Sequence, residues 1–402
     1  MCDLSPPRRR EIGRCALRWL MGLVLAGLCW QPAYGQDPIL SQYFMNKPYL
    51  NPAFTGYDGG ITVNSSWREQ WFRIAGRNSG YRTRMIGAAM NVPGLQSGFG
   101  LQYFNHVEGP GSLTWQRAGI SYAFRTRDCG DRYPRSELNL GMRVSANWTG
   151  LQQPDAFTYG DQLDPIQGAI YQTGANLAFD GIPPRPFMDL DVGAVYLQRL
   201  NRRNEKANND YLRVGLAINH LPGREIDNLG FFDGLPVRTT FHVDWMIRQN
   251  GFELIPMLKL ENQSATSLFI PGSDDRYWFW HHQLGVVGKV SNDRNGIWFG
   301  TWYQGRLIPG DPQVGQTGLM LVDMYGIGAN VHSLALAVGG EIPLEKGTGY
   351  GEPGQLLRFG LSYDYQFTGL TNDGSGTVEF SLTLQLNEAF DRVTSCRGVC
   401  AF

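Results

Sequence analysis

Along much of the chain apolar and polar residues alternate with a period of two. The clearest run is Leu138, Leu140, Met142, Val144, Ala146 and Trp148, interleaved with Asn139, Gly141, Arg143, Ser145, Asn147 and Thr149. One set is wholly apolar and the other wholly polar or glycine, which is the mark of a strand with two unlike faces. Comparable runs occupy 211–219, 237–248 and 378–387. Weaker candidates lie near 61–71, 81–91, 97–107, 113–125, 169–179, 188–198, 252–262, 277–290, 297–304, 318–328, 333–342 and 356–366, for a tally of about sixteen. Segments of ~10 residues set apart by Gly, Asn, Asp and Pro turns are the pattern of a transmembrane barrel. A propeller would repeat every ~40–50 residues, and no such repeat is visible. A soluble sandwich would have shorter strands.

A sheet in lipid must close, because no water is present to satisfy an open edge. The alternation therefore predicts an all-β fold, a transmembrane antiparallel β-barrel of 14–16 strands with an ordered amino-terminal segment. Leu, Val and aromatics would face lipid, and Ser, Thr, Asn, Arg and Gly the lumen. On that reading Leu140→Arg should cost more than Asn139→Arg. Long loops are expected at 151–168, 199–210, 221–236 and 262–276. Trp67, Trp71, Trp148, Trp245, Trp278, Trp280, Trp298 and Trp302 fall near strand ends, where they suit the two interfacial girdles. Asn250-Gly251 is a tight hairpin signal, yet by this tally it falls on the long-loop side, so the strand count is one out.

Composition adds three things. Glycine is abundant (51 residues), aromatics make up 12% and charged residues only 18%, as suits many strands, turns and a crowded lumen. Mean hydropathy is −0.27, which excludes a polytopic helical membrane protein but not a barrel, whose lipid face is averaged with lumen and loops. Residues 1–35 read as a cleaved leader: Arg8, Arg9, Arg10, Arg14 and Arg18 precede an apolar run from Leu20 to Trp30, and Ala33-Tyr34-Gly35 offers a cleavage site before Gln36. The run is too short to span a bilayer. Removing the leader takes away five arginines and two acids, so the formal charge passes from −1 to −4. That balance gives no reason to expect nucleic acid. Cys129, Cys396 and Cys400 remain, too few for a disulfide framework or a metal site; whether Cys396 and Cys400 pair is open.

Candidate chemistry is sparse. HExxH, Walker A, G-x-S-x-G and CxxC are absent. His281 and His282 would face opposite sides of a strand, so they cannot share a metal. His242 and Asp244 share an inward face and could pair, but no nucleophile or cleft accompanies them. The inward charges say more. Arg82, Arg84, Arg143, Arg213, Arg238, Asp244, Glu253, Lys259, Glu261, Arg358, Asp364 and Glu379 are expected to line the lumen. Both signs are present, which favours cross-bracing of a filled barrel over an anion-selective pore. No catalytic residue, metal or cofactor is assigned.

The block Gln36-Asp37-Pro38-Ile39-Leu40-Ser41-Gln42-Tyr43, followed by Tyr49-Leu50-Asn51-Pro52-Ala53-Phe54-Thr55-Gly56, closely resembles the opening of the PorP/SprF family of type IX secretion system outer-membrane proteins. That family usually starts QDP-x-F-S-Q-Y and continues with a Tyr-x-Asn-Pro-Ala-x-x-Gly run. Trp67-Arg68-Glu69-Gln70-Trp71 with Gly76 is similar to the family's Tyr-Arg-x-Gln-Trp element. Leu361-Ser362-Tyr363-Asp364-Tyr365 and Gly376-Thr377-Val378-Glu379-Phe380-Ser381-Leu382 resemble its last two strands. The chain departs at Val378, where the family has His, and in its tail Cys396-Arg397-Gly398-Val399-Cys400-Ala401-Phe402. About 110–290 matches only in general character.

The resemblance implies a non-catalytic barrel in the outer membrane of a Gram-negative bacterium. It implies work with type IX components, including the periplasmic ring and peptidoglycan-binding proteins. It further implies binding and anchoring of a large secreted surface protein, such as a gliding adhesin, through its carboxy-terminal domain. Outer-membrane lipid is the other expected partner. Family-motif candidates for partner contact are Gln36, Asp37, Pro38, Ser41, Gln42, Tyr43, Asn51, Pro52, Gly56, Arg68, Gln70 and Trp71.

The residues of the opening block say something narrower. Pro38, Pro48 and Pro52 break regular structure, and Tyr43, Phe44, Tyr49, Leu50 and Phe54 are too apolar for a free tail. Residues 36–56 are expected to pack in the periplasmic mouth of the barrel or against a partner, or else to form a simple lead-in to the first strand. The division expected is a leader over 1–35, a periplasmic segment over 36–60 and a barrel over 61–402. An outer-membrane channel or hydrophobic-solute transporter is the alternative function. A barrel hydrolase comes third and would need a Ser–His pair at one rim, which the sequence does not offer.

Overall fold

A computed structural model describes residues 37–71, 81–109, 112–126, 136–151, 163–164, 168–169, 186–200, 210–221, 237–249, 251–266, 276–291, 295–307, 330–344, 355–367 and 376–386. The leader, Gln36, Trp278 and the two carboxy-terminal cysteines lie outside what is described of chain or side chains.

Fourteen strands form the wall: β1 (Ile61–Gln70), β2 (Tyr81–Val92), β3 (Ser97–Glu108), β4 (Leu113–Thr126), β5 (Ser136–Leu151), β6 (Phe187–Arg199), β7 (Tyr211–Leu221), β8 (Arg238–Gln249), β9 (Phe252–Thr266), β10 (Arg276–Ser291), β11 (Gly296–Leu307), β12 (Asn330–Pro343), β13 (Leu356–Gln366) and β14 (Thr377–Leu386). Neighbours run antiparallel, and β14 returns to pair with β1 from Ile61↔Leu386 to Gln70↔Thr377, closing the barrel. No helix among the described residues is long and apolar enough to cross a membrane.

Two of the sixteen candidate segments are not among the strands of the described wall. β5 pairs directly with β6, and 170–179 lies outside the described residues. β11 pairs directly with β12, and 318–328 lies outside the described residues. Dropping 169–179 resolves the parity conflict. The turn at 250–251, with Gly251 at φ +82°, lies at the rim where β1 begins and β14 ends. That rim is called the base here and the opposite one the crown. The longest connections, 152–186 and 308–329, are at the crown. The connection 200–210, expected among the long loops, is at the base.

The wall of β5 follows its alternation: Leu138, Leu140 and Met142 are exposed on the outside, and Asn139, Arg143 and Asn147 are buried on the inside. Trp67 and Trp245 are exposed on the outer face. Trp298 and Trp302, expected in the girdles, instead point inward and are 3% and 2% exposed. They meet Phe44 edge-on at 5.4 and 5.8 Å. Trp71, the residue after β1, has φ +57° and its indole N–H donates to Gln366 Oε1 at 2.8 Å.

The reason for the inward tryptophans is what fills the lumen. Residues 37–60 run inside the barrel as three short turns, Tyr43–Met45, Lys47–Leu50 and Pro52–Phe54. Pro48 and Pro52 each sit in the first turn of their element, where a missing N–H costs nothing. Asn51 caps the last turn, its Oδ1 accepting from Ala53 N at 3.0 Å. Inward glycines let the segment press on the wall. A Cβ at Gly141 would stand 2.3 Å from the backbone of Pro52 and Ala53, and one at Gly193 2.0 Å from Asn51 Oδ1. Such contact explains part of the glycine content.

Candidate functional site

The inner segment begins near the crown. Asp37 takes a salt bridge from Arg238 at 2.7 Å and sits 2.9 Å from His220 Nε2, while its N–H donates to Gln263 Oε1 at 2.9 Å. His220 Nδ1 is 2.5 Å from Asp189, and its backbone N–H donates to Asp191 at 3.0 Å. Arg117 and Arg143 both close on Asp191, the second at 2.6 Å. Three carboxylates thus face three guanidinium groups. Burial alone would raise the Asp37 carboxyl, but Arg238 and His220 hold it well below the usual carboxylate range. Asp189, Asp191 and His220 stand close enough to share a metal ion. Their lone pairs are already turned to arginines and Asp37, so the group serves as a buried ion network.

Sequence reasoning missed His220. Strict alternation on β7 would face it outward with Leu212, Val214, Leu216 and Ile218. A register shift between Leu190 and Val192, with φ +65° at His220, turns it inward. Asp189 and Asp191 were missed as well, although their i, i+2 spacing within the candidate strand 188–198 is the signal of two residues on one face.

A second cluster joins residues far apart in the chain. Glu379 accepts the backbone N–H of Ser41 at 2.7 Å and of Gln42 at 2.8 Å. Gln42 Nε2 donates to the Glu379 carbonyl at 2.8 Å and to Ser362 at 3.1 Å. Arg68 Nη1 reaches Glu379 at 3.0 Å, Asp364 at 3.1 Å and Ser41 Oγ at 2.5 Å. The motif residues Ser41, Gln42, Arg68, Asp364 and Glu379 therefore form one constellation.

Lower down, Asn51 Nδ2 donates to the carbonyls of Ala194 and Leu216, both at 3.1 Å. Tyr49 Oη donates to the Pro38 carbonyl at 2.8 Å, and burial pushes its pKa up to about 12. Lys47 pairs with Asp58 near the base. Against the cost of burial, Lys47 and Arg358 hold the Asp58 carboxyl down at about 2. Gly56, at φ +66°, packs on the Met90 carbonyl. Pro38, Tyr43 and Pro52 are buried in the segment, and Gln70 is half-buried at the crown end of β1. The segment expected in the periplasmic mouth thus extends up the lumen to the crown, because its polar partners lie along the inner wall.

Two expected lumen charges are corrected. Arg82 and Arg84 lie on the outward face of β2, since Thr83, Met85 and Ala89 take the inward positions. Arg84 is exposed with its guanidinium 5.3 Å from the Trp67 ring centre. Arg143, Arg238, Asp244, Asp364 and Glu379 are inward and buried, and Arg358 is inward and half-buried. Asp244 does not pair with His242. It bonds Arg213 at 2.9 Å, while His242 lies tilted at 35° against Phe54 with ring centres 5.3 Å apart.

A cavity of about 250 Å³ opens at the base. Its floor includes Phe44, Phe54, Met257, Val287 and Trp298. Around it runs a ladder of ion pairs: Arg248–Glu253 at 2.6 Å, Glu253–Lys289 at 3.5 Å, Lys289–Glu341 at 2.6 Å and Glu341–Arg358 at 2.9 Å. The ladder skips β11 at Gly296, where the absence of a side chain lets Lys289 reach Glu341.

Near the crown Thr83 Oγ1 lies 2.8 Å from His106 Nδ1, and His106 Nε2 lies 2.8 Å from Glu108. The order hydroxyl–imidazole–carboxylate has the form of a hydrolytic triad. Thr83 and His106 are buried, however, and Tyr81 and Phe104 stack against the imidazole. The hydroxyl presents no face to a substrate.

The family described as type IX secretion system membrane protein PorP/SprF matches residues 33–384. Among solved structures, the chain is similar to the toluene transporter TodX of P. putida, at 10% identity and a TM-score of 0.40, covering 89% of this chain and 96% of that one. It is also similar to CdiB from Acinetobacter baumannii, at 9% identity and a TM-score of 0.37, covering 81% and 60%. A search of curated proteins found no match.

Proposed function

The chain belongs to the PorP/SprF family of type IX secretion system membrane proteins, and on that premise we propose that it is a non-catalytic outer-membrane barrel that binds and anchors a large secreted surface protein through that protein's carboxy-terminal domain. A closed barrel in a secretion-system membrane family belongs in the outer membrane, with the base toward the periplasm, where both ends of the barrel chain and the tight 250–251 turn lie.

One observation supports partner binding over conduction: residues 37–60 occupy the lumen, buried against the wall from crown to base. Conduction needs a continuous wet path. Among the described residues the base keeps a cavity with an apolar floor and a charged rim, which is the anatomy of a contact surface. The periplasmic face would meet the other type IX components, and anchoring would follow from the barrel's own place in the membrane.

Two measurements test this reading. In planar bilayers the full-length mature protein should give no large, steady single-channel conductance. A purified carboxy-terminal domain of a type IX surface protein from the same organism should bind the detergent-solubilised barrel and not an unrelated barrel of similar size. Steady conductance without such binding would favour the channel reading instead.

A further inference from the structure

The outer wall holds a feature that partner binding does not use. Across six neighbouring strands, from β14 over the seam to β5, one row of paired residues reads Phe380, Trp67, Arg84, Asn105, Gln116 and Trp148. All six are on the outward face. Two tryptophans thus bracket one guanidinium and two side-chain amides, and Arg82 stands on the same face two residues nearer the crown. None of Arg82, Arg84, Asn105 or Gln116 has a carboxylate or hydrogen-bond partner among the described residues. Glu69 is the register partner of Arg82 but forms no salt bridge with it.

Directly beneath lies a shallow groove of about 500 Å³ on the same wall. Its next row toward the base reads Ile86, Tyr103, Ala118, Ala146 and Met188. The two alanines form its floor, and Ile86, Leu101, Ile120 and Met188 rise around it, all strongly exposed. Flanking side chains of full size with small ones between make a channel along the wall, running down from the polar row.

We propose that this face binds one acylated, phosphate-bearing glycolipid of the outer leaflet. Arg84, Arg82 and the Asn105 and Gln116 amides would hold its phosphate, and an acyl chain would lie over Ala118 and Ala146. The placement follows from charge and depth. On the orientation proposed above the crown is the external side, which puts the row with Arg84 at the outer-leaflet headgroups, between interfacial tryptophans. An arginine there without a carboxylate is costly unless its charge meets an anion or water. Guanidinium forks suit phosphate oxygens, and stacking on Trp67 fixes the fork in place. The two parts, donors above and an apolar groove below, match the two parts of a single lipid.

The test uses the full mature chain in nanodiscs of zwitterionic phospholipid doped with a bis-phosphorylated, acylated glucosamine lipid, read by native mass spectrometry. The wild type should retain this lipid. Arg82→Gln with Arg84→Gln should reduce retention about tenfold, the loss of charge-assisted contacts. Ala118→Leu with Ala146→Leu, which fills the groove, should reduce it as well while leaving the arginines in place. Excess inorganic phosphate should not displace the lipid. Both variants change only the lipid face, so the heat-dependent gel shift of a folded barrel should persist. Equal retention by the wild type and the arginine variant would overturn the proposal, as would displacement by phosphate alone. Undiminished retention in the alanine variant would overturn the acyl-chain assignment.

Discussion

Arg68 and Glu379 face each other across the seam where the first strand meets the last, with Nη1 3.0 Å from Oε2. They are 6% and 0% exposed. The same Glu379 carboxylate accepts the N–H groups of Ser41 and Gln42. Closure of the wall and seating of the inner segment therefore share one acid. A barrel that closed without the segment would leave Glu379 short of two donors, and a seated segment needs the seam formed.

Removing the cation should be costly for that reason. Arg68→Met would leave Glu379 and Asp364 buried together without their shared guanidinium, at a cost of about 3–5 kcal/mol. Glu379→Gln keeps an acceptor for one of the two N–H groups and should cost less, about 1–3 kcal/mol. Urea titration of the heat-dependent gel shift in micelles would rank the two. Wild-type midpoints for both would mean the seam does not depend on the shared acid.

The filled lumen also changes what a face-specific pair of substitutions should do. Leu140 is 47% exposed to lipid, and Leu140→Arg should cost about 2–4 kcal/mol near mid-membrane. The alternation alone suggests that Asn139→Arg is mild. Asn139 is 1% exposed, in a packed interior. Arginine there should be at least as disruptive, by overpacking and by a charge with no partner. Folding yields into vesicles, compared for the two variants, check this; a near wild-type yield for Asn139→Arg would indicate an open lumen.

The same filling explains where the sequence was readable and where it was not. β5 faces polar and small residues inward, so its period-two pattern names both faces correctly. On β2 and β3 the inner wall meets the aromatic and aliphatic side chains of residues 37–60, and inward positions become apolar. Met85 belongs to the buried apolar cluster with Tyr43, Met45 and Tyr49, and Phe104 stacks on Tyr49 with ring centres 6.3 Å apart. The usual rule then points the wrong way, and Arg82 and Arg84 look like lumen charges. Trp298 and Trp302 were misplaced by the same effect, since they serve the inner segment rather than the lipid interface. His220 was hidden by a bulge that no period can show. By contrast Ser41, Gln42, Arg68, Asp364 and Glu379 were all visible as motif residues. Their convergence was not, because pairing across the seam is information about closure, not about any one segment.

Adding a side chain where the segment presses on the wall should unseat it. A Cβ at Gly193 would lie 2.0 Å from Asn51 Oδ1 and 3.1 Å from Pro52 Cδ. Gly193→Val should therefore displace the Asn51–Phe54 turn while leaving the wall paired, at a cost above the ~1–3 kcal/mol usual for overpacking. The expected sign is a new conductance in planar bilayers together with protease cleavage within 37–60. A silent, protected variant would show that the turn can shift without leaving the lumen.

Acid should loosen the same segment in a definite window. Asp37 and Asp58 both have carboxyls held below their ordinary value in the folded protein. Such groups contribute stability that is fully present above the unfolded pKa of ~3.9 and is lost as pH falls through the folded one. For Asp58 that folded value is about 2. Seating should thus be unchanged from pH 7 to 5 and weaken progressively between about pH 4 and 2. Conductance recorded across that range should appear only in the acid part, and Asp58→Asn should flatten part of the transition. Opening already at pH 6 would point to a histidine rather than to these acids.

The partner reading makes its sharpest demand at the base. Lys289 sits between Glu253 and Glu341, linking the ladder of charges around the cavity mouth, and its side chain is 17% exposed. Lys289→Glu would place three carboxylates side by side at the rim while leaving the Asp37 and Glu379 clusters untouched. If a secreted protein's carboxy-terminal domain docks on this mouth, reversal of a rim charge should slow association and weaken binding by about tenfold, or ~1.4 kcal/mol, with a changed salt dependence. The barrel should lose stability at this largely buried rim, where Glu253 and Glu341 are 9% and 15% exposed, but with the seam and the inner segment untouched it should keep its heat-dependent gel shift and stay closed to ions. Surface plasmon resonance on the immobilised barrel at two ionic strengths separates these effects. Unaltered kinetics in a folded Lys289→Glu barrel would move the docking surface away from the base, toward the crown.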